Sequence, residues 1–451
     1  MTREVSVAFE GRTLVLGLGA TGYSVVRFLR RHDVDVQVLD TRLQPTRANR
    51  LSVDFPDVEL YLGKHDLDQL PAFNRIVISP GISPQEVIAQ DAASKGIPVI
   101  GDIEIFARFA DHPVLAVTGS NGKSTVATLA AELCRVGGLK TLLGGNIGTP
   151  ALDLFSIHDA ELYVLELSSF QLDTTHSLKA KGGVILNISE DHLDRYRDMV
   201  SYVNSKCRLG EMAQKLIVNR NDPYAKNILP LHKKLVTIGL DKAPTDRDYG
   251  LMNVAGEEYI ARGEKRILRS TELSLLGRHN QLNAMAACAL ADIAGVESEQ
   301  YQPALRSFPG LQHRCELIPT TDGRTWVNDS KGTNVGATLA ALDGFDVPII
   351  LIAGGQAKGA DFTALGALAG KRYKYLVLIG QDAALLAGAV AAPCPIYFAD
   401  SLGDAVQQAN SQSAAGDTIL FSPACASFDM FRNYEHRGDC FRQSVKELGN
   451  E

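Results

Sequence analysis

No stretch of this 451-residue chain approaches the roughly 20 consecutive apolar residues that a membrane helix needs. The N-terminus lacks a signal-peptide layout, and its first apolar stretch, Leu14 to Leu18, reads as a short strand. None of the seven cysteines (134, 207, 288, 315, 394, 425 and 440) belongs to a Cys-x-x-Cys pair, which argues for reduced thiols and against a zinc site or disulfides. Runs of lysine and arginine are absent and the net charge is -7, which argues against a nucleic-acid partner. Internal repeats and low-complexity linkers are missing too. These absences leave the expectation of a soluble, cytoplasmic protein with no membrane or nucleic-acid partner; a monomer is expected as well, although none of these absences bears on it.

What is present is the 45% apolar and 22% charged composition of an ordinary globular chain, too long for a single core. Short apolar runs alternate with helical patterns, which signals parallel α/β sheets. Strands are expected at Thr13 to Gly17, Val36 to Asp40, Arg75 to Ser79, Val114 to Thr118 and Tyr163 to Leu167. Further ones are expected at Gly183 to Asn187, Lys215 to Asn219, Val347 to Gly354, Tyr375 to Gly380 and Asp417 to Ser422. Breaks fall near Gly101 to Glu104, after the strand Pro98 to Ile100, and near Ser307 to Gly310, after a long helix at Asn280 to Ile293. The expected fold is α/β in three domains. These are a Rossmann-like domain over residues 1–103, a central P-loop ATPase-like parallel-sheet domain over 104–306 and a C-terminal Rossmann-like domain over 307–451.

Thr118-Gly-Ser-Asn-Gly-Lys-Ser-Thr125 lies where a strand hands over to a helix N-terminus, a place whose free N–H groups and dipole favour an anion. Gly119, Asn121 and Gly122 form the turn, Lys123 can reach outer phosphates, Ser124 can offer its hydroxyl to a magnesium ion, and Thr125 adds a second hydroxyl to the phosphate grip. Only Ser120 and Asn121 separate the two glycines, fewer than the usual four. Gly17-Leu-Gly-Ala-Thr-Gly22 is a dinucleotide fingerprint, and Asp40 ends the next strand. That loop suits NAD, and with it an oxidoreductase, as well as it suits the pyrophosphate of a UDP-sugar.

Glu166 ends a strand in the domain of the phosphate loop and suits magnesium coordination or, more plainly, a helix cap. His192 lies just past a strand end among carboxylates and could ligate a metal. Lys206, on the following helix, reads by itself as a solvated lysine. Asn280 and Asn283 open the long helix and could cap it or bind a base or phosphate. Arg314 and Lys331 suit phosphate or carboxylate, and Asp329 suits ribose hydroxyls.

Taken together, these motifs resemble the Mur ligases of bacterial peptidoglycan synthesis, most closely the members that add D-glutamate. Gly-Gly-Asn-Ile-Gly (144–148), Leu-Glu-Leu-Ser-Ser-Phe-Gln-Leu (165–172), Glu-Asp-His-Leu-Asp-Arg-Tyr (190–196) and Asn-Asp-Ser-Lys-Gly-Thr-Asn (328–334) extend the likeness over nearly the whole chain. The most diagnostic segment is Ser-Pro-Ala-Cys-Ala-Ser-Phe-Asp (422–429), followed by Asn433, Tyr434, Glu435, Arg437 and Gly438. The short phosphate loop is this family's form. The Asp-Asn-Pro-Arg of the meso-diaminopimelate-adding relatives is absent. Folate-polyglutamate synthetases share the ATP centre but lack a dinucleotide-like first domain.

The resemblance implies ATP-driven amide formation between UDP-N-acetylmuramoyl-L-alanine and D-glutamate through an acyl phosphate. It implies magnesium at two sites, with manganese as a substitute, the first held by Ser124 and Glu166 and the second by His192 and Lys206. Lys206 matches a lysine that relatives carry as a carbamate. Lys123, His192 and Lys206 are the catalytic candidates. Ala20, Thr21, Asp40, Thr41, Arg42, Gly81 and Asn146 are expected around the UDP substrate. Gly119, Asn121, Gly122, Lys123, Ser124, Thr125, Asn280, Asn283, Arg314 and Asp329 are expected around ATP. Lys331, Thr333, Lys358, Ser427, Phe428 and Tyr434 are expected around D-glutamate; position 434 often holds phenylalanine in relatives.

Overall fold

A computed structural model of the chain describes residues 2–83, 86–192, 195–224, 234–345, 349–390 and 394–448. Its first sheet is fully parallel, with the strands Glu59–Leu62, Val36–Asp40, Thr13–Leu16, Arg75–Ile78 and Val99–Gly101 side by side in that order. Thr13–Leu16 and Val36–Asp40 are buried along their whole length, polar Thr13, Gln37 and Asp40 included, as the inner strands of a helix-covered parallel sheet are. The chain reverses direction across the sheet at Thr13–Leu16, and there the glycine loop turns into the helix Ala20–Arg30. Gly22 makes that turn possible. A side-chain carbon at this position would overlap the carbonyl oxygen of Gly17, which Ser79 Oγ also bonds at 2.8 Å. Gly22→Ala is therefore expected to cost about 1–3 kcal/mol, read as an earlier thermal transition with the first cavity's ligand bound more weakly.

The central sheet is also parallel, in the order Leu235–Ile238, Leu216–Asn219, Gly182–Ile185, Val114–Thr118, Leu162–Glu166 and Thr141–Gly145. Beside it stands an antiparallel meander of Tyr249–Val254, Glu257–Arg262 and Lys265–Arg269, which the apolar-run reading did not anticipate. Its strands are joined by the two-residue loops Ala255-Gly256 and Gly263-Glu264. Positive φ at Ala255 (53°), Gly256 (85°) and Gly263 (53°) marks these as tight hairpins. The helix Arg278–Ala294 packs on the phosphate-loop helix Lys123–Val136, and both contribute to one core in which Ala284, Ala287 and Ala291 are buried.

The last sheet runs Glu316–Ile318, Thr325–Asn328, Thr418–Phe421, Ile349–Gly354, Tyr373–Ile379 and Ile396–Phe398, parallel except for the first strand. Of the strand expected at Val347 to Gly354, the first two residues lie outside the described residues.

One apolar cluster runs from Val5 to Val218, so the first sheet and the central sheet share a core. The clusters of the last sheet contain only residues beyond Cys315 or Ile318. Its junction with the central body includes polar side-chain contacts as well as the approach of the Gly277 and Gly344 backbones. Arg314 Nη2 donates to Ser124 Oγ at 2.7 Å, and Asn334 Nδ2 donates to Asn121 Oδ1 and Asp191 Oδ2, both at 3.3 Å.

Candidate active site

The strand Val114–Thr118 delivers the phosphate loop at the C-terminal edge of the central sheet, and Gly119 (φ 151°) and Gly122 (φ 84°) turn it into the helix Lys123–Val136. Gly122 has left-handed backbone, and the absence of a side chain there leaves room for the Asn283 amide beside it. Lys123 Nζ donates to Gly119 O at 2.8 Å and Ser120 O at 2.7 Å. Burial holds its ammonium below the usual lysine range.

Glu166 ends the neighbouring strand and is buried. Ser124 Oγ donates to its Oε2 at 2.6 Å and Asn146 Nδ2 to its Oε1 at 2.8 Å. These hard oxygen donors at a buried carboxylate fit the divalent cation that the resemblance implies for the first site. The capping reading of Glu166 falls to its neighbour: Ser168 accepts from Gln171 N at 3.2 Å and caps the helix Ser169–Asp173.

Lys206 departs from the sequence-based reading of a solvated lysine: it is only 2% exposed. Its Nζ donates to Gly119 O at 2.8 Å, the carbonyl that Lys123 also uses, and lies 4.7 Å from the Tyr202 ring centre. Burial first, then the charge of Lys123, hold its amine well below the usual lysine range. Spacing carried a signal: Tyr202, Lys206 and Leu209 fall on one face of the helix Met199–Met212, and all three are buried. Tyr202, not foreseen, shares a 2.9 Å hydrogen bond with Ser120 Oγ. His192 has positive φ (56°) and stands edge-on to Phe170 and Tyr202, with centroids 4.8 and 6.4 Å away. Lys206 and His192 thus both border Tyr202. Among the described residues, no group of three or more His, Cys, Asp or Glu is placed to hold a metal, so a second ion needs substrate oxygens or an added acid as ligands. Leu193 and Asp194 of the motif around His192 lie outside the described residues.

A cavity of about 320 Å³ adjoins the loop and is lined by Asn121, Gly122, Thr125, Asn280, Asn283, Arg314 and Asp329, together with Lys331. Asp329 accepts from Ser422 Oγ at 2.7 Å and from Cys315 N at 3.2 Å, and burial raises its carboxyl to about 6.

A second cavity, of about 540 Å³, lies over the first sheet and reaches the central one. It is lined by Ala20, Thr21, Asp40, Thr41, Arg42 and Gly81 from one side and by Asn146 and Gln171 from the other. Asp40 does not offer a free carboxylate there. Its oxygens accept from Leu18 N (2.7 Å), Arg42 N (2.9 Å), Arg42 Nε (2.9 Å) and Arg42 Nη2 (2.7 Å), which fills a carboxylate's four acceptor sites. Burial alone would raise this carboxyl, but those hydrogen bonds hold it below its usual range.

Of the residues expected at the amino-acid end, Lys331 Nζ sits 3.9 Å over the Tyr434 ring and Lys358 Nζ 5.4 Å over that of Phe428. Ser427 is buried and Phe428 is 65% exposed. The Gln356 and Ala426 backbones pair, drawing the loops of Lys358 and Ser427 together. Thr333 is tied back by its N–H to Lys331 O at 2.8 Å. Arg437, quoted in the diagnostic segment without a role, is buried and knits the region. It donates to Ser330 Oγ (3.1 Å), Ser330 O (2.7 Å) and Cys425 O (3.0 Å).

Three family descriptions match in chain order: the Mur ligase MurD-like N-terminal domain over residues 11–101, the Mur ligase middle domain over 117–291 and the Mur ligase glutamate ligase domain over 313–425. The chain belongs to the Mur ligase family. Within that family it is similar to the UDP-N-acetylmuramoylalanine--D-glutamate ligase of Nitrosococcus oceani, at 43% identity over 97% of this chain and 96% of that one. The enzyme of the same name from Marinobacter nauticus is 45% identical over 98% of this chain and 99% of its own. In fold it also resembles the UDP-N-acetylmuramate-alanine ligase of Thermotoga maritima, with a TM-score of 0.60 at 16% identity over 97% of this chain and 100% of that one.

Proposed function

We propose that this chain joins D-glutamate to UDP-N-acetylmuramoyl-L-alanine, using ATP and releasing ADP and phosphate. The observation that carries this reading is the buried carboxylate of Glu166, which ties a residue of the first-sheet cavity to the phosphate loop. Its Oε1 is bonded by Asn146, which lines the first-sheet cavity, and its Oε2 by Ser124 beside the nucleotide cleft. A substrate laid over the first sheet would bring its alanyl carboxylate to the γ-phosphate there. An oxidoreductase reading leaves Lys123, Glu166 and the last sheet without a use, and a purely regulatory nucleotide module leaves the converging lysines without one.

In this reading a carboxylate oxygen attacks the γ-phosphorus and ADP departs. The D-glutamate amine then adds to the acyl carbon, and the tetrahedral intermediate expels phosphate as the amide forms. Bringing two anions together is the main difficulty, and Lys123 and Arg314 supply positive charge at that point. Magnesium at Ser124 and Glu166, with manganese able to replace it, would neutralise phosphate charge. His192 and Lys206, the latter as a carbamate, would serve a second ion. Ala20, Thr21, Asp40, Thr41, Arg42, Gly81 and Asn146 would hold the UDP substrate, with Arg42 turning out to free Asp40. Asn280, Asn283 and Asp329 would hold the nucleoside of ATP, over the phosphate grip of Gly119 to Thr125. Lys331, Thr333, Lys358, Ser427, Phe428 and Tyr434 would hold D-glutamate. The domains would divide as 1–103, 104–306 and 307–451. The last, joined to the central body in part through the polar contacts of Arg314 and Asn334, would swing to close the site, and scattering with and without ligands would report it. A cytoplasmic monomer fits the soluble substrates.

Phosphate release tests the reading: it is expected only when both UDP-N-acetylmuramoyl-L-alanine and D-glutamate accompany ATP and magnesium. Release that ignores D-glutamate, or L-glutamate serving equally well, would overturn it.

Burial first, then the charges of Arg314 and Lys123, bring the Lys331 amine down to about 8 against the opposing pull of Glu166 and Glu435, with the Tyr434 ring covering it. The ammonium persists below that value and is lost above it. The KM for D-glutamate is therefore expected to climb about tenfold per pH unit above 8, with KM for ATP rising much less. A flat D-glutamate KM from pH 7 to 10 would remove Lys331 from that role.

A further inference from the structure

At the opposite edge of the central sheet, where its strands begin, lies a basin of about 330 Å³ that the ligase reaction does not use. Lys215 and Lys234 enter it as the residues just before the paired strands Leu216–Asn219 and Leu235–Ile238. Leu216 and Leu235 are register partners, so the two lysines stand side by side about 4.8 Å apart along the sheet. Arg247 and Arg262 bring the cationic residues of its lining to four. Like charges in register repel, and this crowding occurs in a chain of net charge -7.

Asp292 is the one acid in the lining, and it is already engaged. It accepts from Arg262 Nη1 at 2.7 Å, from Tyr301 OH at 3.1 Å and from Tyr249 OH. Lys215 and Arg247 form no ion pair among the described residues. The floor beneath the cations is apolar, built from Leu235, Val236 and Ile293. A concave apolar floor under a rim of cations is complementary to one chemical class: an aromatic or alkyl body bearing a carboxylate, sulfonate or phosphate.

We propose that this basin binds a small amphipathic anion, at a site separate from the nucleotide and UDP-substrate cavities. The helix Arg278–Ala294 joins the two regions. It carries Asn280 and Asn283 at the nucleotide cleft and Asp292 and Ile293 at the basin, 17 residues and about 25 Å from end to end. An occupant therefore rests on the far end of an element that also borders the cleft.

The test uses the full chain with 1-anilinonaphthalene-8-sulfonate as the probe, followed by fluorescence at saturating ATP and magnesium. One saturable site is expected. Lys215→Glu combined with Arg247→Glu should weaken it at least tenfold, and Arg247→Gln alone should weaken it less. Both residues are exposed, so both variants should keep the parent's substrate-dependent phosphate release, which also reports that they fold. Absence of saturable binding, unchanged affinity in the charge-reversed variant, or a saturable site that is present without ATP and lost at saturating ATP would each overturn the proposal.

Discussion

Lys123→Ala is expected to lower turnover about 10³-fold, with the UDP substrate still bound. The lysine is pinned between two loop carbonyls, 2.8 Å from Gly119 O and 2.7 Å from Ser120 O, so its ammonium is already positioned before any phosphate arrives. Electrostatic stabilisation needs no rearrangement when the donor is held in this way, which is why the effect should fall on kcat. Helical content should be unchanged, because the helix that begins at Lys123 is anchored by buried residues such as Val126, Leu129 and Leu133. Steady-state phosphate release together with circular dichroism checks this outcome. A loss smaller than tenfold would mean that the loop only shapes the cleft.

Lys206→Ala should be nearly as damaging, about 10²–10³-fold, and the manner of its rescue is informative. One account gives Lys206 a mechanical task, bracing the loop through Gly119 O at 2.8 Å. The other makes it a carbamate that supplies a carboxylate to a cation. Its buried position favours the neutral amine, the form that reacts with CO2. A short carboxylic acid filling the space left by Lys206→Ala should restore part of the activity under the second account and none under the first. Intact mass of the parent protein prepared with bicarbonate gives an independent reading. No added CO2 and no rescue would leave the bracing role alone.

Much of the fold could be read from sequence because its signals are local. The glycine loops at 17–22 and 119–122 each follow a fully buried strand and precede a helix, an order that few other structures produce. The meander at 249–269 was harder to read. Its outer faces mix charge with apolar residues, and its only clear marks are the Ala255-Gly256 and Gly263-Glu264 turns. The burial of Lys206 defied its residue type, although helical spacing placed it between Tyr202 and Leu209. Asp40 was recognisable as a strand-end acid, but its capture by Arg42, two residues on, depends on a side-chain conformation that no spacing reports. The Arg314–Ser124 and Asn334–Asn121 contacts join residues about two hundred positions apart and arise only once the bodies dock.

The central claim is that a substrate carboxylate takes the γ-phosphoryl group before the amine attacks. Isotope transfer tests it most directly. UDP-N-acetylmuramoyl-L-alanine labelled with ¹⁸O in its alanyl carboxylate is turned over with ATP, magnesium and D-glutamate, and the released phosphate is weighed by mass spectrometry. An acyl phosphate predicts one ¹⁸O in each phosphate, since the bridging oxygen leaves with phosphorus when the amide forms. Unlabelled phosphate would contradict it.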